Sequence, residues 1–247
     1  MTAPFPPPCS DAAHALDDIR ARGFTVLAAD DVAGLAQARI DDLQRLEGSW
    51  NDLPPDAWLK DGGRYRSRRH SCFVVDGDDV SQAPHRAHWQ SLDYNALHGG
   101  MQRMFEPIAA ETIAAPAWPA LLRGLGRWCS ALKGVQPWYV EAHQFRIDTT
   151  DGIGRPTPEG AHRDGVDFVA VILVGRHGIK GGETRVFQAD GPDGQRFTLL
   201  QPWSLLFLDD ARMIHESTPI QPASEDAPGH RDTLVLTYRA GAFQGED

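Results

Sequence analysis

Apolar residues recur with helical spacing in the first half of the chain and as short continuous or alternating runs from about Trp138 onward. Ala12, Ala15, Leu16 and Ile19 share one face, which predicts a helix over Asp11 to Arg22 stopped by Gly23. Phe24 to Leu27 reads as a short strand. Val32, Leu35, Ala36, Ile40, Leu43 and Leu46 keep roughly in phase and predict a second helix from Asp30 to Leu46. Arg64 to Val75 reads as extended chain, and Leu121, Leu122, Leu125, Trp128 and Leu132 predict an amphipathic helix over Trp118 to Leu132.

Beyond Trp138 the pattern is β. Tyr139 to Ile147 is a predicted strand, and the unbroken apolar run Phe168 to Val174 is expected of a strand buried on both faces. Glu183 to Gln188 and Arg196 to Leu200 flank Asp193-Gly194, a hairpin turn signal. Ser204 to Leu208 and Thr233 to Tyr238 complete the set. Many short strands between Gly, Pro and Asp turns predict a mostly β sandwich or barrel, with the earlier helices packed outside it. No linker divides the chain, so the expectation is one domain over residues 1–247, with a β core at 137–240 and a flexible proline-rich arm at 1–10.

Composition narrows the partners. A chain of 247 residues can bury a full core, and its formal net charge of -10 argues against a nucleic-acid partner without excluding a small anion. No apolar run reaches the length of a membrane span, and the N-terminus has neither the basic nor the apolar region of a signal peptide, so no membrane partner is expected. Cys9, Cys72 and Cys129 are too few and too scattered for a disulfide framework, which fits a reducing, cytoplasmic setting.

Candidate chemistry begins at Glu159-Gly160-Ala161-His162-Arg163-Asp164-Gly165. On extended chain, His162 and Asp164 point to the same side and can offer an imidazole and a carboxylate to one ion. His215 follows 51 residues later, beyond a predicted buried strand. Two histidines and one carboxylate form the facial triad of non-haem iron(II) oxygenases, with the remaining positions open. A second His-x-Asp, His230-Arg231-Asp232, has no histidine after it, so the first pair is preferred. Sixteen residues after His215, Arg231 and Thr233 share a strand face. An arginine fork with a threonine hydroxyl can fix the distal carboxylate of a dicarboxylic cosubstrate.

These residues together resemble the iron(II)/2-oxoglutarate dioxygenases. The segment Pro156 to Gly165, with His143-Gln144-Phe145-Arg146 and Gly181-Gly182-Glu183-Thr184, is similar to the bacterial branch of free amino-acid hydroxylases that includes L-isoleucine 4-hydroxylase. The resemblance spans about residues 64 to 240. It implies a double-stranded β-helix (jelly roll, cupin-like), with iron(II) held by His162, Asp164 and His215 near one open end. It also implies 2-oxoglutarate as cosubstrate, O2 as oxidant, release of succinate and carbon dioxide, and hydroxylation of a small molecule, foremost a free aliphatic L-amino acid.

Further residues are candidates for ligand contact. Gln144 and Arg146 share a face, and in the resembled family residues of the corresponding strand point into the cavity, so they are expected at cosubstrate and substrate respectively, the alternative being a solvated face. Arg64, aligned with Arg66 and Arg68, could meet a substrate carboxylate or pair with surface acids, and Glu183 could meet an ammonium group or sit exposed. His70, His85, His88, His98 and His177 show no spacing that supports a second metal site. Two readings compete with the hydroxylase: a cupin-like isomerase, and a non-catalytic small-ligand binding or sensing protein.

Overall fold

The computed structural model describes residues 5–95 and 97–245. The first half contains β1 (Cys9–Ser10), α1 (Ala15–Arg22), β2 (Phe24–Leu27), α2 (Ala29–Leu35) and α3 (Ile40–Gln44), then β3 (Arg66–Asp76), β4 (Asp79–Gln82), α4 (Ala110–Ala114) and α5 (Ala117–Lys133). The second half contains β5 (Trp138–Asp148), β6 (Phe168–His177), β7 (Ile179–Gly181), β8 (Thr184–Gln188), β9 (Gly194–Phe197), β10 (Leu205–Asp209), β11 (Met213–Ser217), β12 (Ile220–Pro222) and β13 (His230–Ala240). An eight-stranded sheet runs β1-β2-β10-β6-β13-β5-β3-β4, beside smaller sheets β11-β8-β9 and β12-β7. This mostly β arrangement with flanking helices is the jelly roll expected.

Alternation along the strands sorts side chains into two compartments. Leu234, Leu236 and Tyr238 of β13, Val140 and Ala142 of β5, and Ala170 and Ile172 of β6 pack against the helices with Trp118, Leu121 and Leu125. The opposite face of the same sheet meets the smaller sheets through Val169, Leu173, Val186, Phe197 and Leu206. The run Phe168 to Val174 is therefore apolar because both its faces are covered.

Two expectations fail locally. The helix predicted over Asp30 to Leu46 is broken: Gln37 has φ 51°, and α2 and α3 are separate. The apolar phase survives the break because both pieces press Val32, Ala36 and Leu43 onto one core. The helix is cut where α2 abuts α5 so closely that a Cβ on Gly124 would lie 2.4 Å from the Leu35 carbonyl oxygen. The arm expected to be flexible is docked over residues 5–10. Cys9 and Ser10 pair with Val26 and Leu27, the Phe5 carbonyl accepts a hydrogen bond from Thr198, and the Arg196 guanidinium lies over the Phe5 ring. Residues 1–4 of that arm lie outside the described residues. Nor does the β core begin at 137, since β2, β3 and β4 supply strands of the main sheet. Among the described residues no helix is long and apolar enough to cross a membrane.

Candidate metal centre and its cavity

His162 and His215 are brought together by backbone pairing. The N–H of each donates to the carbonyl of the other, at 3.1 and 2.9 Å, so the 162 segment extends the sheet edge formed by β11. Asp164 follows two residues later. Its turn is shaped by buried Asp210, whose carboxylate accepts the backbone N–H groups of Asp164, Gly165 and Val166 at 2.9, 2.7 and 3.1 Å. Gly165 has φ +77°, and a Cβ there would lie 2.4 Å from the Tyr94 ring. Burial, with Asp164 close by, pushes the Asp210 carboxyl up to about 7.

His162 Nε2 lies 3.9 Å from Asp164 Oδ1, and His215 Nε2 lies 3.7 Å from Asp164 Oδ2. Both separations are too long for hydrogen bonds and leave space for a shared ion. His162 Nδ1 sits 2.9 Å from the Gly160 carbonyl, which fixes its proton on Nδ1 and leaves the Nε2 lone pair facing Asp164. His215 Nδ1 is buried without a partner among the described residues. Gln90 Nε2 donates to Asp164 Oδ1 at 3.0 Å, and its own oxygen is held by Asn95 and Arg103. The charges conflict without a cation. Burial raises the Asp164 carboxyl and drives His215 far down, whereas at His162 burial is outweighed by the nearby Asp164 and Glu159, which raise it. Glu159 Oε1 lies 3.6 Å from His162 Nε2, and its Oε2 is buried without a partner among the described residues. Imidazole lone pairs and carboxylate oxygens converging on one point fit an iron(II) ion.

The triad opens onto a cavity whose floor carries Arg231, Thr233, Val235 and Val171. Arg231 is 3% exposed, and no carboxylate among the described residues lies within ion-pair distance. Burial, with Arg176 nearby, lowers it to about 10, which marks a cation short of a counter-charge. The lining also carries Arg66 and Arg68 of β3, His143 and Phe145 of β5, His88, and Arg103, which reaches Asp164 through Gln90. Arg66 donates to Asp56 at 2.7 Å, and Arg68 lies 3.8 Å over the Phe105 ring.

Four of the ligand-contact expectations are corrected, Gln144 at the cosubstrate and Arg146, Arg64 and Glu183 at the substrate. Gln144 and Arg146 do share a face, but it is the helix face that continues Val140 and Ala142. Gln144 Nε2 donates to Ser49 Oγ at 2.7 Å, and Arg146 forks onto Asp232 at 2.8 and 2.7 Å. His143, Phe145 and Ile147 face the cavity instead. Arg64 precedes β3, its side chain is 83% exposed, and it pairs with Asp151. Glu183 pairs with Arg185 at 2.9 Å outside the cavity, whose carboxylates among the described residues are Asp164 and Glu159. The second His-x-Asp is an outer ion-pair site, with Asp232 taken by Arg146. Gln90, Arg103, Glu159 and Asp210 were not singled out, because they come from loops and strand ends without periodic pattern.

Comparison with known proteins agrees with this geometry. Residues 47–237 match the family model described as 2OG-Fe dioxygenase. Among solved structures, the chain is 53% identical to a bsmA homolog from Methylobium petroleophilum PM1, with 97% of each chain covered and a TM-score of 0.92. It is similar in fold to IDO from Bacillus thuringiensis, at 16% identity, 96% and 97% coverage and a TM-score of 0.75. It is also similar in fold to the Fe(II)/(alpha)ketoglutarate-dependent dioxygenase TqaL, at 19% identity, 96% and 92% coverage and a TM-score of 0.72. A search of curated proteins gives no match.

Proposed function

The chain belongs to the 2OG-Fe dioxygenase family, and from that premise we propose that it hydroxylates a free aliphatic L-amino acid, with His162, Asp164 and His215 as iron ligands and Arg231 with Thr233 as the anchor of 2-oxoglutarate. The family requires iron(II) and 2-oxoglutarate, so the enzyme is an oxygenase that uses O2 and a small-molecule substrate. When bound, iron(II) and 2-oxoglutarate supply oxidative decarboxylation to succinate and carbon dioxide, and transfer of one oxygen atom to a C–H bond.

The chain's own residues do the positioning. Gln90 holds Asp164 Oδ1 and thereby orients the carboxylate toward the two imidazoles. Arg231, buried and without a carboxylate partner, supports capture of a distal carboxylate through a charge-assisted fork, with Thr233 beside it. Val171 and Val235 line the route with apolar surface. In this reading residues 1–247 work as one dioxygenase domain in a reducing, cytoplasmic setting; the three cysteines are free.

One observation carries the substrate class. Besides Arg231, the cavity lining has three buried arginines, Arg66, Arg68 and Arg103, together with hydrogen-bond acceptors and apolar side chains. Such a site suits a molecule with a carboxylate, a donor and an aliphatic tail. The motif resemblance to the branch containing L-isoleucine 4-hydroxylase supports the same class. The test is succinate release with iron(II), ascorbate and 2-oxoglutarate against a panel of free, N-acetylated and esterified amino acids, with mass spectrometry for a gain of one oxygen. Turnover confined to free aliphatic amino acids is expected. Equal turnover of N-acetylated or esterified forms, or product only from a peptide, would refute the substrate class and leave the family assignment standing.

A further inference from the structure

A second group of histidines and a carboxylate borders the same cavity through His88 and His143. His70, His88, Glu141 and His143 are all buried, and their ligand-type atoms lie within 4.8 Å of one another. Residue type alone would make this a metal site, yet the hydrogen bonds place the protons so that it is not. Arg68 is a donor only, and it contacts His143 Nδ1 at 2.7 Å, so Nδ1 accepts and the proton of the neutral ring sits on Nε2. The Glu141 carboxylate, held well below its ordinary range by His88 and His70 against the cost of burial, accepts from His70 Nε2 at 3.0 Å and from His88 Nδ1 at 2.6 Å. Every nitrogen that faces the centre therefore carries a hydrogen, and a metal would find no imidazole lone pair there, only the carboxylate of Glu141. Moving the His70 proton to Nδ1 would leave that nitrogen's N–H buried with no acceptor among the described residues.

The same bookkeeping of protons leaves one lone pair pointing elsewhere. With its hydrogen on Nδ1, neutral His88 carries a lone pair on Nε2, across the ring from Glu141. Burial keeps the ring neutral, lowering it to about 4. His88 lines the cavity, and Nε2 has no hydrogen-bond partner among the described residues. Directly beside it is Arg103. The backbones of His88 and Arg103 pair in antiparallel fashion, each N–H donating to the other's carbonyl at 3.0 Å, and both side chains reach the cavity. Residues paired this way stand roughly 5 Å apart at Cβ. Arg103 is 2% exposed; its Nη2 donates to Gln90 Oε1 at 3.1 Å, while its Nε has no partner among the described residues and is left for a ligand. A neutral acceptor backed by a buried carboxylate, next to a buried guanidinium, matches an ammonium and a carboxylate on adjacent atoms.

We propose that His88, oriented by Glu141, reads the α-ammonium group of the substrate while Arg103 takes its α-carboxylate, so that the aliphatic tail extends toward His162, Asp164 and His215. The inference rests on the amino-acid reading above and adds the residues that enforce it. Glu159 Oε1 lies 3.6 Å from His162 Nε2, too near the triad to hold the polar end of a substrate attacked beyond Cβ. In this arrangement Glu141 is a positioning residue. It touches no substrate but decides which His88 nitrogen is the acceptor.

The experiment compares the best substrate among L-leucine, L-isoleucine and L-methionine with its deaminated counterpart, 4-methylpentanoate, 3-methylpentanoate or 4-(methylthio)butanoate. Steady-state KM and kcat are measured on holoenzyme for wild type, His88→Phe, His88→Gln and Glu141→Gln. In wild type the amino acid is strongly preferred. In His88→Phe its KM rises about 10- to 100-fold, the loss of one hydrogen bond to a charged group, while the deaminated acid is unaffected or improved. His88→Gln, whose amide oxygen can serve as the acceptor, recovers part of the loss. Glu141→Gln raises KM for the amino acid in the same direction as His88→Phe. The anaerobic visible band of the iron(II)–2-oxoglutarate chelate serves as the check that each variant is folded. An unchanged ratio of amino acid to deaminated acid in a folded His88→Phe variant overturns the role of His88 alone. Failure of wild type to oxidise any free amino acid removes the amino-acid reading, and this inference with it.

Discussion

The loop carrying His162 and Asp164 and the strand carrying Glu141 and His143 use one device, two polar side chains at i and i+2 on extended chain, for opposite purposes. At the loop, Asp164 stands 3.9 Å from His162 and 3.7 Å from His215 of β11, and the proton of His162 is drawn away by the Gly160 carbonyl. The strand's own pair, Glu141 and His143, is also 3.9 Å apart, but His70 of β3 and the loop residue His88 close on Glu141 at 3.0 and 2.6 Å with their protons pointing inward at the carboxylate. Two histidine and carboxylate clusters border one cavity, and their outer hydrogen-bond partners decide which one presents lone pairs to an ion. Arginine sharpens the contrast. Arg68 touches His143, a neighbour that repels a dication, whereas the triad has Gln90 and the acids Glu159 and Asp210 around it.

Breaking the floor of the cavity should have the larger effect on turnover. Arg231→Leu is expected to weaken 2-oxoglutarate by about 2–5 kcal/mol, since it removes a buried charge from a charge-assisted pair. This reads as a large rise in the KM for 2-oxoglutarate with little change in that for the prime substrate. An unchanged KM would put the distal carboxylate elsewhere.

The two clusters should also separate by pH. His88 is held at about 4 when folded against 6.5 in its ordinary state, so unfolding takes up a proton between those values. Stability of the metal-free chain therefore falls as pH drops from 6.5 toward 4, by about 3 kcal/mol from this one ring. His70 and His143 shift in the same direction. His162, raised when folded, contributes in the other window: its stabilisation is present below 6.5 and is lost as pH rises through its folded value. Urea midpoints measured across pH should show a shallower acid limb in His88→Phe than in wild type. Parallel limbs would mean that His88 is not neutral in the folded chain.

A smaller change should come from the bridge between Asp164 and Arg103. Gln90→Leu leaves the three ligands in place but frees Asp164 Oδ1, and iron(II) affinity should fall about 10- to 100-fold. Arg64→Ala should do least. Its partner Asp151 is at the surface, so stability should move by no more than about 0.5 kcal/mol and substrate KM should stay as in wild type. A raised substrate KM in Arg64→Ala would restore the role first expected of that residue.

These corrections mark where pattern stops being informative. Alternation correctly paired Gln144 with Arg146 and His162 with Asp164, but period two does not say which face meets the helices. That was decided by Val140 and Ala142 packing onto α5 and its neighbours. The basic run Arg64 to Arg68 pointed at the right strand, yet β3 starts at Arg66, so only Arg66 and Arg68 inherit its inward face. Glu141-x-His143 was as readable as His162-x-Asp164. It passed unnoticed because its partners, His70 on β3 and His88 in a loop, meet it only through sheet register and an isolated bridge. Phase across Gln37 misled in the reverse way: tertiary packing kept the apolar stripe aligned over two helices.

The most direct test of the central claim is an anaerobic titration with iron(II) in the presence of 2-oxoglutarate, following the visible chelate band together with bound iron per chain. Wild type and Glu141→Gln should each saturate at one iron with the band formed. Asp164→Ala should bind none tightly and show no band. A band that survives in Asp164→Ala, or a second tightly bound iron in wild type that Glu141→Gln removes, would contradict the assignment of the metal to the His162, Asp164 and His215 side of the cavity.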